Sequence, residues 1–360
     1  MSKRKSRLIQ TLALMLCASM VLVGCASSTA QAPANSAQSP VKNGSEGGSN
    51  QGKILRIAGA SLSSSSYSMA LTMADVLSKA GIPATAEPSG GSTQQLELLR
   101  SGQVDLTITT AGNAESAFLG TDEFSKSPPF KDIRTIIPLN TSYFTVTVAD
   151  KTGIKSPADL KGKRIATVIS TPSYKKALSA ILASANLTLE DTKVVSVAEI
   201  GEAIEKVANR GSDGYAGTPG GSRAAELHQK DPLKLIVFPT DESAVKRAQS
   251  AYSPIYATSY GPDPLVGLSE KIPMYGYDFL LLGSAKTSEQ TIYDVVNIIF
   301  KEKDKLISGR KEFKEVTLDR VKSSPIVVPY QNGSIKYLNE QKVWNPSLEQ
   351  AQASVLAKAK

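Results

Sequence analysis

Cysteine and histidine are nearly missing from this chain. Cys17 and Cys25 are its two cysteines, and His228 is the single histidine in 360 residues. Everything beyond Cys25 therefore lacks disulfide and thiol chemistry, and a zinc site of the usual His/Cys kind has no ligands to draw on. A nucleophile–histidine triad would have to use His228, which sits in a polar run with Glu226, Gln229 and Lys230 that reads as an exposed helix end. No metal, no cofactor and no catalytic residue is expected. Aromatic residues are sparse at 6%, and no long basic run is interleaved with them, so nucleic-acid binding has no footprint here. The formal charge of +8 overstates the basic character. Four of those charges are Lys3, Arg4, Lys5 and Arg7, which belong to a segment expected to be removed, leaving about +4 with both signs interspersed.

Long apolar runs are also scarce, with one at the start of the chain. Leu8 to Val23 carries no charge, follows the basic cluster and ends in Leu22-Val23-Gly24-Cys25, a lipobox. The pattern predicts a signal peptide over residues 1–24, cut before Cys25, whose sulfur takes the lipid that ties the protein to a bacterial membrane. The run is too short to span a bilayer comfortably. An uncleaved anchor is the other reading, and both place the remainder outside the cytoplasm. Residues 25–52 are almost entirely Ala, Ser, Gly, Asn, Gln and Pro, with Val41 the single large aliphatic. Such a stretch cannot bury enough apolar surface to offset its ordering entropy, so it reads as a flexible tether reaching roughly 30 Å.

The rest alternates strand and helix signals, which predicts an α/β protein of two lobes with a cleft between them. Ile54 to Ala58 is a first strand. A helix with Met69, Met73, Val76, Leu77 and Ala80 on one face stops at Gly81. Thr85 to Pro88 is a second strand, a helix carries Leu96 and Leu99, and Val104, Leu106 and Ile108 alternate with Asp105, Thr107 and Thr109 as a third strand. A second block opens near Phe144 to Val148. Ser156-Pro157-Ala158-Asp159 reads as a helix start with a Ser cap and Pro at the first position. Arg164 to Ile169, a short strand at Tyr215 and Leu233 to Phe238 follow, with helices marked by Leu178 and Leu182, then by Ile200, Ala203, Ile204 and Val207. Tyr277 to Leu282 returns as a buried strand before a helix with Ile292, Val295, Val296 and Ile299. This places lobe I at 53–140 plus about 275–345 and lobe II at 141–250. Crossings fall near 140–143 and 252–277, and 346–360 reads as a peripheral C-terminal helix.

Five Ser/Thr/Gly loops follow strands: Ser61–Ser66, Ser89–Ser92 and Thr109–Asn113 in the first lobe, Ser170–Ser173 and Gly217–Ser222 in the second. Each leads into a helix whose N-terminus offers free N–H groups and a positive dipole end, so the set predicts a cleft lined from both sides by anion-friendly donors. The candidate ligand-binding residues are Tyr67, Ser89, Gly90, Gly91, Ser92, Thr109, Thr110, Asn113, Ser170, Thr171, Ser173, Tyr174, Tyr215 and Thr218. Lys175, Lys176 and Arg223 are the cations nearby that could neutralise a second carboxylate.

The stretch EPSGGSTQQLELLRSGQVDL (Glu87 to Leu106) resembles the TAXI family, the extracytoplasmic solute-binding subunits of TRAP (tripartite ATP-independent) transporters, where P-[ST]-G-G-S-x-x-N-L-x-L-L-x-x-G-x-A-D-x is typical. TGIKSPADLKGKRI (Thr152 to Ile165) is similar to the family's entry into its second lobe. VTLDRVKSSPIVVPYQNGSIKYLNE (Val316 to Glu340) is similar to its tail, and Ile272 to Phe300 to its returning strand and helix. The resemblance implies a two-lobed periplasmic-binding-protein fold of type II kind, not an enzyme. It would act as a monomer, closing on a small organic anion such as a glutamate-like amino acid or a dicarboxylate and delivering it to an ion-gradient-driven permease. Departures fall in the loops that would face the ligand. Ser64-Ser65-Ser66-Tyr67 replaces G-G-T-Y-Y, Thr109-Thr110-Ala111 replaces Gln-Ser-Asp, Ser170-Thr171-Pro172-Ser173-Tyr174 replaces Gly-Ser-Gly-Thr, and Val328 stands where His precedes Pro.

An ABC-importer binding lipoprotein, or a binding lobe attached to a sensor, shares fold, anchor and cleft and stays open as an alternative. A remote alternative is a penicillin-recognising serine hydrolase, from Ser173-Tyr174-Lys175-Lys176, Ser212-Asp213-Gly214 and Lys151-Thr152-Gly153, although K-T-G comes first here and should come last.

Overall fold

Strand and helix begin to alternate at Leu55 in the computed structural model, which describes residues 54–62 and 64–358. The expected signal peptide, tether and lipidated Cys25 lie outside the described residues. Strand β1 (Leu55–Ala58) leads through a serine loop to α1 (Ser65–Lys79), where the Ser64 hydroxyl accepts the Tyr67 N–H as an N-cap. Met69, Met73, Val76 and Leu77 form its buried stripe. Gly81, at φ 98°, turns the chain out of the helix, a conformation a side chain would resist. Then come β2 (Ala84–Glu87), α2 (Ser92–Arg100), β3 (Leu106–Thr110) and α3 (Ala111–Leu119). The long β4 (Ile133–Ala149) carries the chain out of this lobe.

The second lobe runs β5 (Arg164–Thr167), α4 (Pro172–Ser184), β6 (Lys193–Ser196), α5 (Ile200–Ala208), β7 (Gly214–Gly217), α6 (Ser222–Lys230), β8 (Leu233–Leu235), α7 (Glu242–Ala251) and β9 (Tyr256–Tyr260). Strand β10 (Ile272–Ser284) returns antiparallel to β4, and α8 (Glu289–Lys301), α9 (Lys303–Gly309), α10 (Leu318–Ser323), α11 (Asn332–Glu340) and α12 (Pro346–Ala357) close the first lobe. The sheet order is β2-β1-β3-β10-β4-β7-β5-β6, with β8 on β4 and β9 on β10. One core cluster gathers Phe144 to Tyr277. Two others gather Leu55 to Leu139 with the segment after Phe279. The β4–β10 ribbon is the connection that both sets of strands share.

The lobes repeat one plan. Parallel strands stand in the order β2-β1-β3 in one and β6-β5-β7 in the other, each triplet flanked on its inner edge by an antiparallel ribbon strand. The Arg56 N–H donates to Asp105 Oδ2 (2.9 Å), and the Arg164 N–H donates to Asp213 Oδ2 (2.8 Å). The Thr107 hydroxyl donates to the Ala58 carbonyl as the Thr167 hydroxyl does to that of Ala216. In both lobes the carboxyl ends of the parallel strands point to the same side, where ligands of open α/β sheets bind.

Several sequence expectations need refining. The third strand is where the alternation places it, and all five residues of β3 are buried, the threonines included, because β1 and β10 flank it and helices cover both sides. Its threonines are satisfied internally, Thr107 by Ala58 and Thr109 by the Asn113 amide. The core and pairings of the second block open near Phe144, but the strand that carries them is longer than the sequence suggests. β4 begins eleven residues earlier, at Ile133, hidden by Pro138, which cannot donate to the ladder and lies where the pairing with β10 shifts register. Ser156 and Asp159 form the expected capping box, but the element they open is a single 3₁₀ turn, Pro157–Leu160. His228 is half-buried rather than exposed, accepting the Leu233 N–H at Nδ1 (3.0 Å). The C-terminal helix α12 is tied to lobe I through Gln352 Oε1, which accepts the Tyr330 N–H (2.7 Å). No helix among the described residues is long and apolar enough to cross a membrane.

Candidate functional site

Two compartments open where the strand ends of the lobes face each other, with volumes of about 700 and 590 Å³, and they share Ala60, Ser92 and Ser173. The smaller lies between the starts of α2 and α4 and is lined by Gly90, Gly91, Ser92, Asn113, Ser170, Thr171 and Ser173. Gly91 (φ 139°) precedes α2 and Thr171 precedes α4, and neither helix receives a side-chain cap. The first N–H groups of α2 are thus left without a side-chain cap, whereas at α4 Pro172 has no N–H and the Tyr174 and Lys175 N–H groups donate to the Thr171 carbonyl, which leaves the Ser173 N–H. Glu123 closes its back.

The larger compartment takes Ser92, Thr110, Ser173, Tyr174 and Thr218 from the predicted set. It also takes residues that the sequence reading did not single out as ligand contacts: Ser64 to Ser66, Asn140 to Tyr143 of β4, Tyr260, Tyr277 and Phe279, and the pair Glu312 and Glu315. Its aromatic walls pack on one another, Tyr143 on Tyr260 and Tyr174 edge-on to Phe144. Burial pushes the Tyr174, Tyr260 and Tyr277 hydroxyls above their ordinary range, and Tyr260 is held further by its bond to Asp263. Burial followed by the Glu315 charge does the same to Tyr143. These phenols are neutral donors and acceptors across the physiological range.

The other predicted residues are placed elsewhere. The Tyr67 backbone lies against Gly59 in the first turn of α1, and the residue is not in either lining. The Ser89 hydroxyl donates to the Gly59 carbonyl (2.8 Å), pinning its own loop. Thr109 is behind the wall, accepting from the Asn113 amide. Tyr215 is fully buried in the core of lobe II. Lys175 is exposed on α4 beside Glu190, and Arg223 pairs with Glu205 (2.6 Å). Lys176 reaches across to the first lobe, meeting Asp122 (2.9 Å), Glu123 (3.5 Å) and Ser116 (2.7 Å). None of these three cations is in either lining.

Among the described residues lining the two compartments, the charged ones are carboxylates: Glu123, Glu312 and Glu315. Arg310 and Arg320 stand behind them and are already engaged. Arg310 pairs with Glu312 and donates to the Ser65 hydroxyl; Arg320 bridges Asp278 (3.0 Å), Glu315 (3.3 Å) and the Thr141 hydroxyl. Asp278 also accepts from Tyr256 (2.6 Å) and Ser324, so its buried charge is fully bonded. A sequence signal for Glu312 and Glu315 would have been hard to raise, because KEFKEVTLDR reads as a solvated charged face.

The three hydrolase-like motifs do not converge. Ser173 lies at the carboxyl end of β5, whereas Ser212 precedes β7 and Lys151 follows β4 at the opposite end of that lobe's sheet, where Lys151 is paired with Asp231.

Among solved structures, the chain is similar to the periplasmic aliphatic sulphonate binding protein SsuA from Escherichia coli, at 14% identity and a TM-score of 0.50, over 85% of this chain and 91% of that one. It is also similar to the L-cystine solute receptor of Neisseria gonorrhoeae in its unliganded open conformation, at 13% identity and a TM-score of 0.40, over 72% and 92%. The first of these likenesses establishes the fold, the two-lobed α/β architecture of periplasmic binding proteins. Residues 57–341 match the NMT1-like family, and the chain belongs to that family.

Proposed function

We propose that this protein is an extracytoplasmic solute-binding receptor that captures a small polar solute between its lobes and hands it to a membrane permease, without catalysis. The observation that carries the reading is the cleft itself. Strand-end loops from both lobes place serine and threonine hydroxyls and two helix starts without side-chain caps around one compartment, and a row of neutral tyrosines around the adjoining one. An acidic group on the solute finds donors in the N–H groups at the start of α2, with the Ser173 N–H and hydroxyl at the start of α4. A second carboxylate, as in the dicarboxylates expected from sequence, would face Glu312 and Glu315 instead of a cation. The lipid on Cys25 would keep the receptor beside its partner. The TRAP-type permease is the partner proposed from the loop and tail resemblance to the TAXI subfamily; an ABC importer would use the same fold and cleft.

Hinge closure on the solute follows from the architecture, since β4 and β10 are the strands that run through both sets of pairings. Isothermal titration of the chain, unfolded and refolded to strip trapped solute, against amino acids, sulfonates, mono- and dicarboxylic acids and neutral sugars tests the reading. Micromolar or tighter binding of one class supports it. No heat with any class, together with a native mass spectrum free of bound solute, would sink it.

A further inference from the structure

The two compartments of the cleft offer different chemistry. The smaller has no aromatic residue in its lining, and among the described residues the hydroxyls of Ser92, Ser170 and Thr171 there have no partner within the protein. With the N–H groups at the start of α2 they leave donors open to a polar head group. The larger compartment has its polar side chains already in use. Ser64 caps α1, Ser66 accepts the Ala60 N–H, Thr110 caps α3, and the Ser65 and Thr141 hydroxyls accept from Arg310 and Arg320. Its charges are balanced as well: Glu312, Glu315 and the adjoining Asp278 stand against Arg310, Lys314 and Arg320.

What stays open in the larger compartment is aromatic. Tyr143 of β4, Tyr174 of α4, Tyr260 of β9 and Phe279 of β10 line it and are only partly buried, so each keeps surface toward the cavity. The Tyr260 hydroxyl is spent on Asp263 Oδ2 (2.5 Å), the Tyr174 hydroxyl lies beside Thr218, and Phe279 has none to offer. Ring carbon is therefore the main surface a solute meets here. Tyr143 and Tyr260 stand 5.0 Å apart between centroids and tilted by 60°, so they present two differently inclined faces. An aromatic ring set against such faces gains from edge-to-face and offset contacts beyond the burial of its area. At about 700 Å³ the compartment also has the size of a site for a drug-sized ligand, about 300–1,000 Å³, rather than for a short-chain acid.

Building on the receptor reading, we infer that the solute is bipartite: a compact acidic head held at Ser92, Ser173 and the start of α2, and an uncharged aromatic or heteroaromatic ring set among Tyr143, Tyr174, Tyr260 and Phe279. The compartments meet at Ala60, Ser92 and Ser173, so one solute reaches both. A sugar ring calls for open hydrogen-bonding side chains around it, and a charged tail calls for an uncompensated countercharge, whereas the groups named in the larger compartment are engaged within the protein.

The test is titration calorimetry on the full chain, unfolded and refolded to strip trapped solute. The ligands are phenylacetate and indole-3-acetate beside cyclohexylacetate, acetate, succinate, a neutral hexose and a simple amine. The aromatic acids are expected to bind about 100-fold or more tighter than acetate, and phenylacetate about 2- to 12-fold tighter than its saturated counterpart cyclohexylacetate. Tyr143→Leu is expected to bring the ratio of phenylacetate to cyclohexylacetate affinity to about one, a readout that a loss of stability alone would not move; Tyr260→Leu gives the same ratio from the other face and serves if the first variant fails to fold. Equal or tighter binding of cyclohexylacetate, preferred binding of acetate, succinate, the hexose or the amine, or a ratio that survives both substitutions overturns the ring assignment and leaves the receptor reading intact. Absence of binding by these ligands and by every class in the broader panel overturns the receptor reading, and the assignment falls with it.

Discussion

Replacing Lys176 with methionine should loosen the contact between the lobes. The methionine keeps the apolar stem on α4 and removes the ammonium that crosses from the second lobe to Asp122, Glu123 and Ser116. Lys176 is 17% exposed and Glu123 11%, whereas Asp122 is 49% exposed, so the Glu123 contact dominates and the Asp122 contact is discounted for screening. At 3.5 Å the gross attraction to Glu123 is about 5 kcal/mol with an effective dielectric of 20, most of it offset by desolvation of the two ions. Without the ammonium, Glu123 and Asp122 remain as neighbouring like charges in a partly dry setting. The net loss is about 1.5–2 kcal/mol on the bridged arrangement of the lobes, or about 10- to 30-fold in its population relative to an unbridged one. Solute affinity should fall by the same factor if the solute binds the bridged arrangement, and small-angle scattering should show a larger radius of gyration for the solute-free variant. Affinity within twofold of the parent together with an unchanged scattering curve would refute the idea that this bridge holds the lobes together. The pH dependence has a definite sign. Burial works to raise the Asp122 carboxyl, but the Lys176 bond and charge, with Ser116 and Thr121 donating, bring it below its ordinary value. The bridge is therefore complete above the ordinary carboxylate value near ~3.9 and weakens as pH falls through the lowered one.

Three further outcomes are expected. Asp213→Ala removes the acceptor of the Arg164 N–H and guanidinium at the base of the second lobe and should cost about 2 kcal/mol in denaturant unfolding; because Arg164 and its backbone N–H lower the Asp213 carboxyl, the same stabilisation should vanish in acid. Gly59→Ala would place a methyl 2.2 Å from the Tyr67 backbone, forcing α1 off β1, and should destabilise by about 3 kcal/mol or more, read in the same assay. Burial pushes the hydroxyls of Tyr252, Tyr256, Tyr277 and Tyr330 upward, so absorbance at the phenolate band should show them ionising only as the protein unfolds, and stability should fall as pH rises above the ordinary tyrosine value near ~10. Ionisation of all the tyrosines before unfolding would contradict that burial.

Elements with strong local signals were legible in the sequence. The α1 stripe, the Ser156 cap and the loops after β2 and β5 lie where periodicity and capping chemistry place them. What was hidden depends on distant partners. Nothing local in Leu106 to Thr110 says that both faces are covered, and nothing around Pro138 says that the strand continues through it. The Ser/Thr/Gly loops pointed to the compartment between α2 and α4. Asn140 to Tyr143 read in sequence as a crossing and not as a wall, and Glu312 and Glu315 come from a segment whose position is fixed by its packing against β4. The cations failed for the same reason: Lys176 and Arg223 look available in sequence because their acidic partners are far away in it.

The ribbon of β4 and β10 also sets what can be exchanged. Phe144 stands opposite Tyr275 and Tyr143 opposite Gly276, so the chain enters and leaves lobe II at adjacent rungs of one ladder. The whole lobe is in effect a cassette with two neighbouring junctions. A graft from a relative that respected those rungs would swap Ser173, Tyr174 and Thr218 as a set while keeping Asn140, Glu312 and Glu315. Half of the cleft lining could then be replaced while the other half, with its charge, stayed in place.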